Sequence, residues 1–183
     1  MPFDEAKATQ VAALFLKLRG GQMHYIKLIK LMYLADRDAL LQWGFPITMD
    51  RYVSMNNGPV LSIVLNLITE DRVKPVWSQY IYAPMGEYEV RLIREAPTDR
   101  LSRAEEKLIG EIFAQYGHRY RWDLIDNVMH KLPEWRDPGN SSIPIHPRDI
   151  LEAGGESEKE IRAVLKELRS FELDEERLAR VYA

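Results

Sequence analysis

The sequence predicts a predominantly α (α+β) fold, a compact helical domain of five to six helices with one small antiparallel β-hairpin. Three observations predict it. Apolar residues recur at helical spacing along most of the chain, capping and stop signals punctuate those runs, and one stretch between Val76 and Ile93 turns to alternating aromatic and β-branched residues. With 183 residues, 46% of them hydrophobic, the chain is long enough to bury a sizeable core.

The first helix runs from Asp4 to Arg19, with Val11, Leu14, Phe15 and Leu18 at helical spacing, Asp4 as cap and Gly20-Gly21 as stop. A second, from about Met23 to Trp43, is apolar around most of its circumference, which places it centrally. Gly44 and Pro46 end it, and Arg51 to Met55 reads as extended or irregular before the turn signal Asn56-Asn57-Gly58-Pro59. Pro59, as a first helical residue, is expected to open a third helix striped by Val60, Ile63, Val64, Leu67 and Ile68.

Tyr88, Val90 and Leu92 alternate with Glu89 and Arg91 across a Pro84-Met85-Gly86 turn, which reads as the hairpin. A lone hairpin is marginal in water, so this one should lie against the helices. Ser102 and Glu105 form a capping box for a helix that ends at Gly117, and another helix follows from about Trp122 to Leu132. Pro133 to Pro147 holds four prolines and is expected to be irregular. A short helix from Pro147 to Ala153, a second capping box at Ser157 and Glu160, and a final short helix from Asp174 complete the reading. The glycine pair 154 to 155 is the candidate boundary between a domain over 1–153 and a C-terminal helical extension over 154–183.

Composition excludes several classes. A net charge of -3 gives no general drive toward a phosphate backbone, and no dense basic patch shows in the linear sequence, so nucleic acid is not an expected partner. Zero cysteines exclude disulfides, thiolate metal sites and a cysteine nucleophile. The N-terminus lacks a basic signal-peptide region and the apolar run Val11 to Leu16 is too short to span a membrane, so the expected location is the cytoplasm. His24, His118, His130 and His146 are scattered without metal-ligand spacing, no Gly-rich run ends in Gly-Lys-Ser/Thr, and there is no Gly-x-Ser-x-Gly elbow. No cofactor is expected, and no carboxylate stands in a context that predicts a shifted pKa.

The segments Lys27-Leu28-Ile29-Lys30-Leu31-Met32-Tyr33-Leu34-Ala35-Asp36, Gly58-Pro59-Val60 and Leu101-Ser102-Arg103-Ala104-Glu105, followed by His130 and Trp135, resemble in order and spacing the Panacea domain of SocA-like antitoxins. The resemblance covers roughly Leu14 to Arg136. It implies a mostly helical, non-enzymatic domain that neutralises a cognate protein toxin by direct contact. One family member also delivers its toxin to a bacterial AAA+ protease, so the resemblance implies sequestration or degradation. The sequence departs from the family where members often carry a tyrosine after Gly-Pro-Val; here Val64-Leu65 occupy that neighbourhood. The first helix begins almost at Met1, leaving no room at that end for the added DNA-binding domain of some members.

Two readings stand for the candidate residues. Lys27, Lys30 and Asp36, with Arg37 and Asp38, form a charged recognition stripe or the exposed, ion-paired edge of a central helix. Tyr33 anchors a polar network at the core edge. Asn57-Gly58 is a turn, or part of an anion site at the helix opened by Pro59. His130 and Trp135 close a helix end or touch a partner. Trp77, Tyr80, Tyr82 and Tyr88 crowd a hairpin that buries one face, so its outer face is a candidate partner surface. The rival classes are a DNA-linked repressor, which needs a basic recognition helix, and an enzyme, which needs a pocket with displaced titratable groups.

Overall fold

The computed structural model describes residues 3–70, 73–84 and 86–181, excepting the side chains of 172 and 174–181. The elements in chain order are α1 (Glu5–Arg19), β1 (Gln22–His24), α2 (Tyr25–Trp43), β2 (Tyr52–Met55), β3 (Gly58–Leu61), α3 (Ser62–Thr69), α4 (Trp77–Tyr80), β4 (Ile81–Tyr82), β5 (Glu89–Leu92), α5 (Arg103–Tyr116), α6 (Arg121–Asn127), β6 (Ile143–Ile145), α7 (Pro147–Ala153) and α8 (Glu158–Val181). The fold is α+β, with helices dominant and two three-stranded antiparallel sheets, ordered β1-β5-β4 and β3-β2-β6.

The axis of the molecule is α2. Leu28, Leu31, Met32, Tyr33 and Ala35 are all fully buried, and α1, α5, β3 and α7 pack around them. Its all-round apolar sequence has this cause: a helix with no polar face has to be enclosed. His24 caps it, with Nδ1 accepting from the Ile26 amide at 3.2 Å, and Gly44 ends it in the left-handed region. Asp4 caps α1 by accepting from the Ala6 and Lys7 amides. The Ser102/Glu105 capping box opens α5 as expected.

Several local expectations are corrected. Pro59 does not start a helix; it lies in β3, paired across from Ser54 in a hairpin with a two-residue turn at Asn56-Asn57. That strand is at the sheet edge, where a residue without an N–H is tolerated. The helix begins at Ser62 because the Asp50 carboxylate accepts from the Ile63 and Val64 amides, both at 2.9 Å. Pro133 to Pro147 is not wholly irregular, since Ile143–Ile145 forms β6 against β2. The helix expected from Trp122 to Leu132 divides into α6 and a 3-10 turn at Met129–Lys131. The strand β1 went unread inside the expected start of α2. The hairpin expected across Pro84-Met85-Gly86 is present as β4 and β5, with Met85 outside the described residues. No separate helix starts at Asp174; α8 runs through to Val181. Gly154 and Gly155 separate α7 from α8, and α8 returns to the body through buried Ile161 and Leu168 and an edge-on contact of Phe171 with Phe45.

Candidate functional site

The residues singled out on α2 turn inward, which overturns their reading as a charged stripe or exposed edge. Lys30 is 1% exposed, Lys27 7% and Asp36 0%. Lys30 Nζ donates to the carbonyls of Gly58 and Pro59, each at 2.8 Å, so it pins the turn end of β3 to α2. Burial pushes its pKa down from 10.5 to about 7, against two carbonyls that favour the charged form. One turn earlier, Lys27 Nζ donates to Gly117 O at 2.6 Å and Arg119 O at 2.7 Å, tying the end of α5 to α2.

Asp36 gathers the segment after α2. Its carboxylate accepts from the Ile47 and Thr48 amides, from Thr48 Oγ1 and from Tyr52 OH at 3.3 Å. Burial raises its pKa to about 7, opposed by those donors. A carboxylate with a displaced pKa therefore does exist, contrary to the sequence expectation. Tyr33 does anchor a polar network, but not with Lys30 or Asp36, the neighbours three residues away: its hydroxyl donates to Glu134 Oε1 at 3.0 Å, and Arg37 grips the same carboxylate through Nε at 2.7 Å and Nη2 at 3.3 Å. The Tyr33 and Tyr52 rings meet edge to face at 5.6 Å, joining the Asp36 and Glu134 clusters into one buried block.

His130 and Trp135 stack at 4.2 Å between centroids and both hold the β2–β3 turn: His130 Nε2 is 2.9 Å from Asn56 O, and Trp135 Nε1 donates to Met55 O at 3.0 Å. Gly58 is enclosed at the same spot. Its φ of +92° suits glycine, and a Cβ there would lie 2.6 Å from Met129 Cβ. An anion site on the helix expected at Pro59 falls away, because the real start of α3 is occupied by Asp50.

Beside this brace a cleft of about 370 Å³ opens. Tyr25, Ile26, Ile29, Met55, Val60 and Leu65 form an apolar floor, and Asn56, Asn57, Asn140 and Ser141 form a polar rim. Such a mix of apolar lining and few polar groups suits the capture of a side chain or small ligand. Sequence reasoning named Asn57 and Lys30 here, and missed the loop residues Asn140 and Ser141. It also missed Glu134, Thr48, Asp50 and Tyr52, whose partners lie far away in the chain; a glutamate set between Pro133 and Trp135 was the one local signal for Glu134.

The aromatic surface is smaller than expected. Trp77 is 1% exposed and lies in α4, so it is a core residue, while Tyr80 is half-buried under Arg94, whose guanidinium sits 4.6 Å from the ring centroid. Tyr82 and Tyr88 remain exposed, at 48% and 66%, and Tyr88 stacks on His24. Among the described residues no helix is long and apolar enough to cross a membrane.

The polar side chains of this helical domain brace its own backbone, and a small mixed cleft lies alongside them. The chain belongs to the family of SocA-like antitoxins with a Panacea domain: it matches that family over residues 28–136, more than half of its 183 residues. Neither the curated proteins nor the solved structures contain a match to it. The matched span runs from Leu28 to Arg136, so it contains Lys30, Asp36, Gly58, His130, Glu134 and Trp135.

Proposed function

We propose that the protein is an antitoxin that neutralises a cognate protein toxin by direct contact, without catalysis of its own. Membership of the SocA-like antitoxin family over residues 28–136 carries this reading. The geometry supports a division of labour within it. Lys27, Lys30, Tyr33, Asp36, Gly58 and Trp77 are consumed inside the fold, whereas Asn57, Asn140, Ser141, Tyr82 and the His130–Trp135 stack face outward or line the cleft. The toxin therefore engages the cleft beside the β2–β3 turn, where an apolar anchor is surrounded by amide and hydroxyl groups able to bond its main chain.

The test is co-expression. Cells expressing the adjacent gene alone arrest; cells expressing it together with this chain grow, and the two proteins co-purify. Asn140→Arg, at an exposed rim position, abolishes rescue and co-purification while leaving the melting temperature unchanged. A harmless neighbour, or rescue untouched by Asn140→Arg, removes respectively the antitoxin reading and the cleft as its surface. The toxin level in rescued cells then separates sequestration, in which toxin accumulates, from delivery to a AAA+ protease, in which it disappears.

A further inference from the structure

At the start of α2, one turn before Lys30, the fold assembles a basic pocket. Three segments meet there, the end of α1 with β1, the first turn of α2, and the link between α5 and α6. They enclose about 520 Å³, lined among others by Arg19, His24, Lys27, Arg119 and Arg121, with Glu89 the one carboxylate on its wall among the described residues. The expectation that the chain carries no dense basic patch is thus corrected by tertiary structure.

Cations gather for bland reasons near helix C-termini, and two of these have such reasons. Lys27 serves the carbonyls of Gly117 and Arg119, and the Arg119 side chain pairs with Asp123 at 3.0 Å. His24 caps α2, and the two remaining arginines have no such partner among the described residues. Arg19 has no hydrogen-bond or ionic partner among the described residues, although the last carbonyls of α1 are already taken by the Gly20 and Gly21 amides. Arg121 Nε is buried and without an acceptor among the described residues, its guanidinium lying 5.6 Å from the Tyr120 ring centroid and 5.3 Å from that of Trp122. A buried donor left unpaired is costly, about 1–3 kcal/mol and more for a charged group, so folds rarely keep one without a use. The like charges also act on one another: burial and then Arg121 lower the pKa of His24, and burial and then Arg19 lower that of Lys27. A protein of net charge -3 has here concentrated positive charge around one space.

We infer that this pocket binds the phosphate groups of a small ligand, a nucleotide or an inorganic polyphosphate, with Arg19 and Arg121 as its principal donors. Planar guanidinium groups bond phosphate oxygens in pairs, which suits two arginines converging from different elements. The exposed Tyr120 ring at the rim offers a face for a nucleobase. The volume is within the range of small-ligand sites. The site is separate from the cleft assigned to the toxin, and neither reading depends on the other.

Isothermal titration calorimetry of the full chain with ATP and with tripolyphosphate tests it, at near-physiological salt. Saturable one-to-one binding is expected, weakened about tenfold by Arg121→Gln and by Arg19→Gln, the loss of one charge-assisted hydrogen bond each. Arg103→Gln, an exposed arginine on α5 remote from the pocket lining, leaves binding unchanged. Arg19 is exposed at a helix end, so its variant keeps the fold even if Arg121→Gln does not. Tighter binding of ATP than of tripolyphosphate identifies a nucleotide site; equal binding identifies a polyphosphate site. Absence of saturable binding, or binding that ignores both substitutions, overturns the inference. Binding of a polyglutamate peptide in place of either phosphate ligand also overturns it, and makes the pocket a protein contact.

Discussion

Two hairpins lean on the helical core, and they are fastened in opposite ways. The β2–β3 hairpin is held by side chains that come from outside its ladder: Lys30 on the Gly58 and Pro59 carbonyls, Trp135 on that of Met55, His130 on that of Asn56. The β4–β5 hairpin is held by main chain. Strand β1 pairs along β5, the Leu92 amide donates to Gly21 O at 2.7 Å, and the Tyr25 amide donates to Tyr88 O at 2.8 Å. One attachment is concentrated in a few buried atoms and the other is spread over the backbone. Removing one polar fastening group should therefore unsettle the first hairpin, whereas the second, held by its ladder and by buried Ile81 and Val90, should tolerate substitution at its exposed positions.

The largest effects belong to the buried corner. Gly58→Ala demands a left-handed φ and a Cβ 2.6 Å from Met129 Cβ, the stiff base of a side chain, so a loss of about 2–4 kcal/mol is expected in urea unfolding. Lys30→Met keeps the length of the side chain but strands two buried carbonyls, at a cost of about 2–3 kcal/mol. If either variant unfolds at the wild-type midpoint, the concentrated attachment is not what holds β2–β3 in place.

The same corner gives the protein a pH signature. Lys30 has its folded pKa lowered to about 7 from 10.5, so between those values the unfolded chain binds the extra proton and stability rises with pH. Asp36 has its folded pKa raised to about 7 from 3.8, so between those values the folded chain binds the extra proton and stability falls as pH rises. Urea midpoints followed from acid to alkali should show Lys30→Met flattening the alkaline rise and Asp36→Asn flattening the acid-side fall. A wild-type slope retained above neutrality in Lys30→Met assigns that slope to another group.

The contrast between the hairpins is also a contrast in legibility. The β4–β5 hairpin shows in the sequence because its cause is local: residues alternate along Tyr88 to Leu92, and alternation is what a half-exposed strand requires. The β2–β3 hairpin was hidden because its causes are remote. Gly58-Pro59 before an apolar stripe is a sound helix-start signal, and only Asp50 on the α3 amides, with Lys30 on the strand's carbonyls, moves the helix start to Ser62. The α2 helix was readable as central, but not the burial of Lys30 and Asp36, since the groups that satisfy them, the Gly58 and Pro59 carbonyls and the Thr48 and Tyr52 donors, lie on other segments. Tyr33 as a network anchor was readable; Glu134, its acceptor a hundred residues away, was not. The basic pocket leaves only the run His118-Arg119-Tyr120-Arg121 as a linear trace, because Arg19 and Lys27 join it through packing alone.

An intermediate effect probes the aromatic part of the first attachment. Trp135→Phe keeps a ring to stack on His130 but leaves Met55 O without its donor; the cleft alongside lets water reach part of that site, so a loss of about 1 kcal/mol is expected. Toxin rescue by this variant distinguishes a ring that only supports the turn from one that is itself gripped by the partner.

The smallest effect should come from the second hairpin. Tyr82 pairs with Arg91 through the main chain and leaves its ring 48% exposed, so Tyr82→Ser removes little buried surface and no ladder hydrogen bond. A change within about 0.5 kcal/mol is expected in urea unfolding, the usual range for an exposed position. Because serine is a weaker strand former than tyrosine, the sign should be slightly destabilising. A loss as large as that of Lys30→Met would show that side chains also fasten β4–β5, and the distinction between a concentrated and a distributed attachment would collapse. A stability change this small, paired with lost toxin rescue, would instead move the partner surface from the cleft to the outer face of this hairpin.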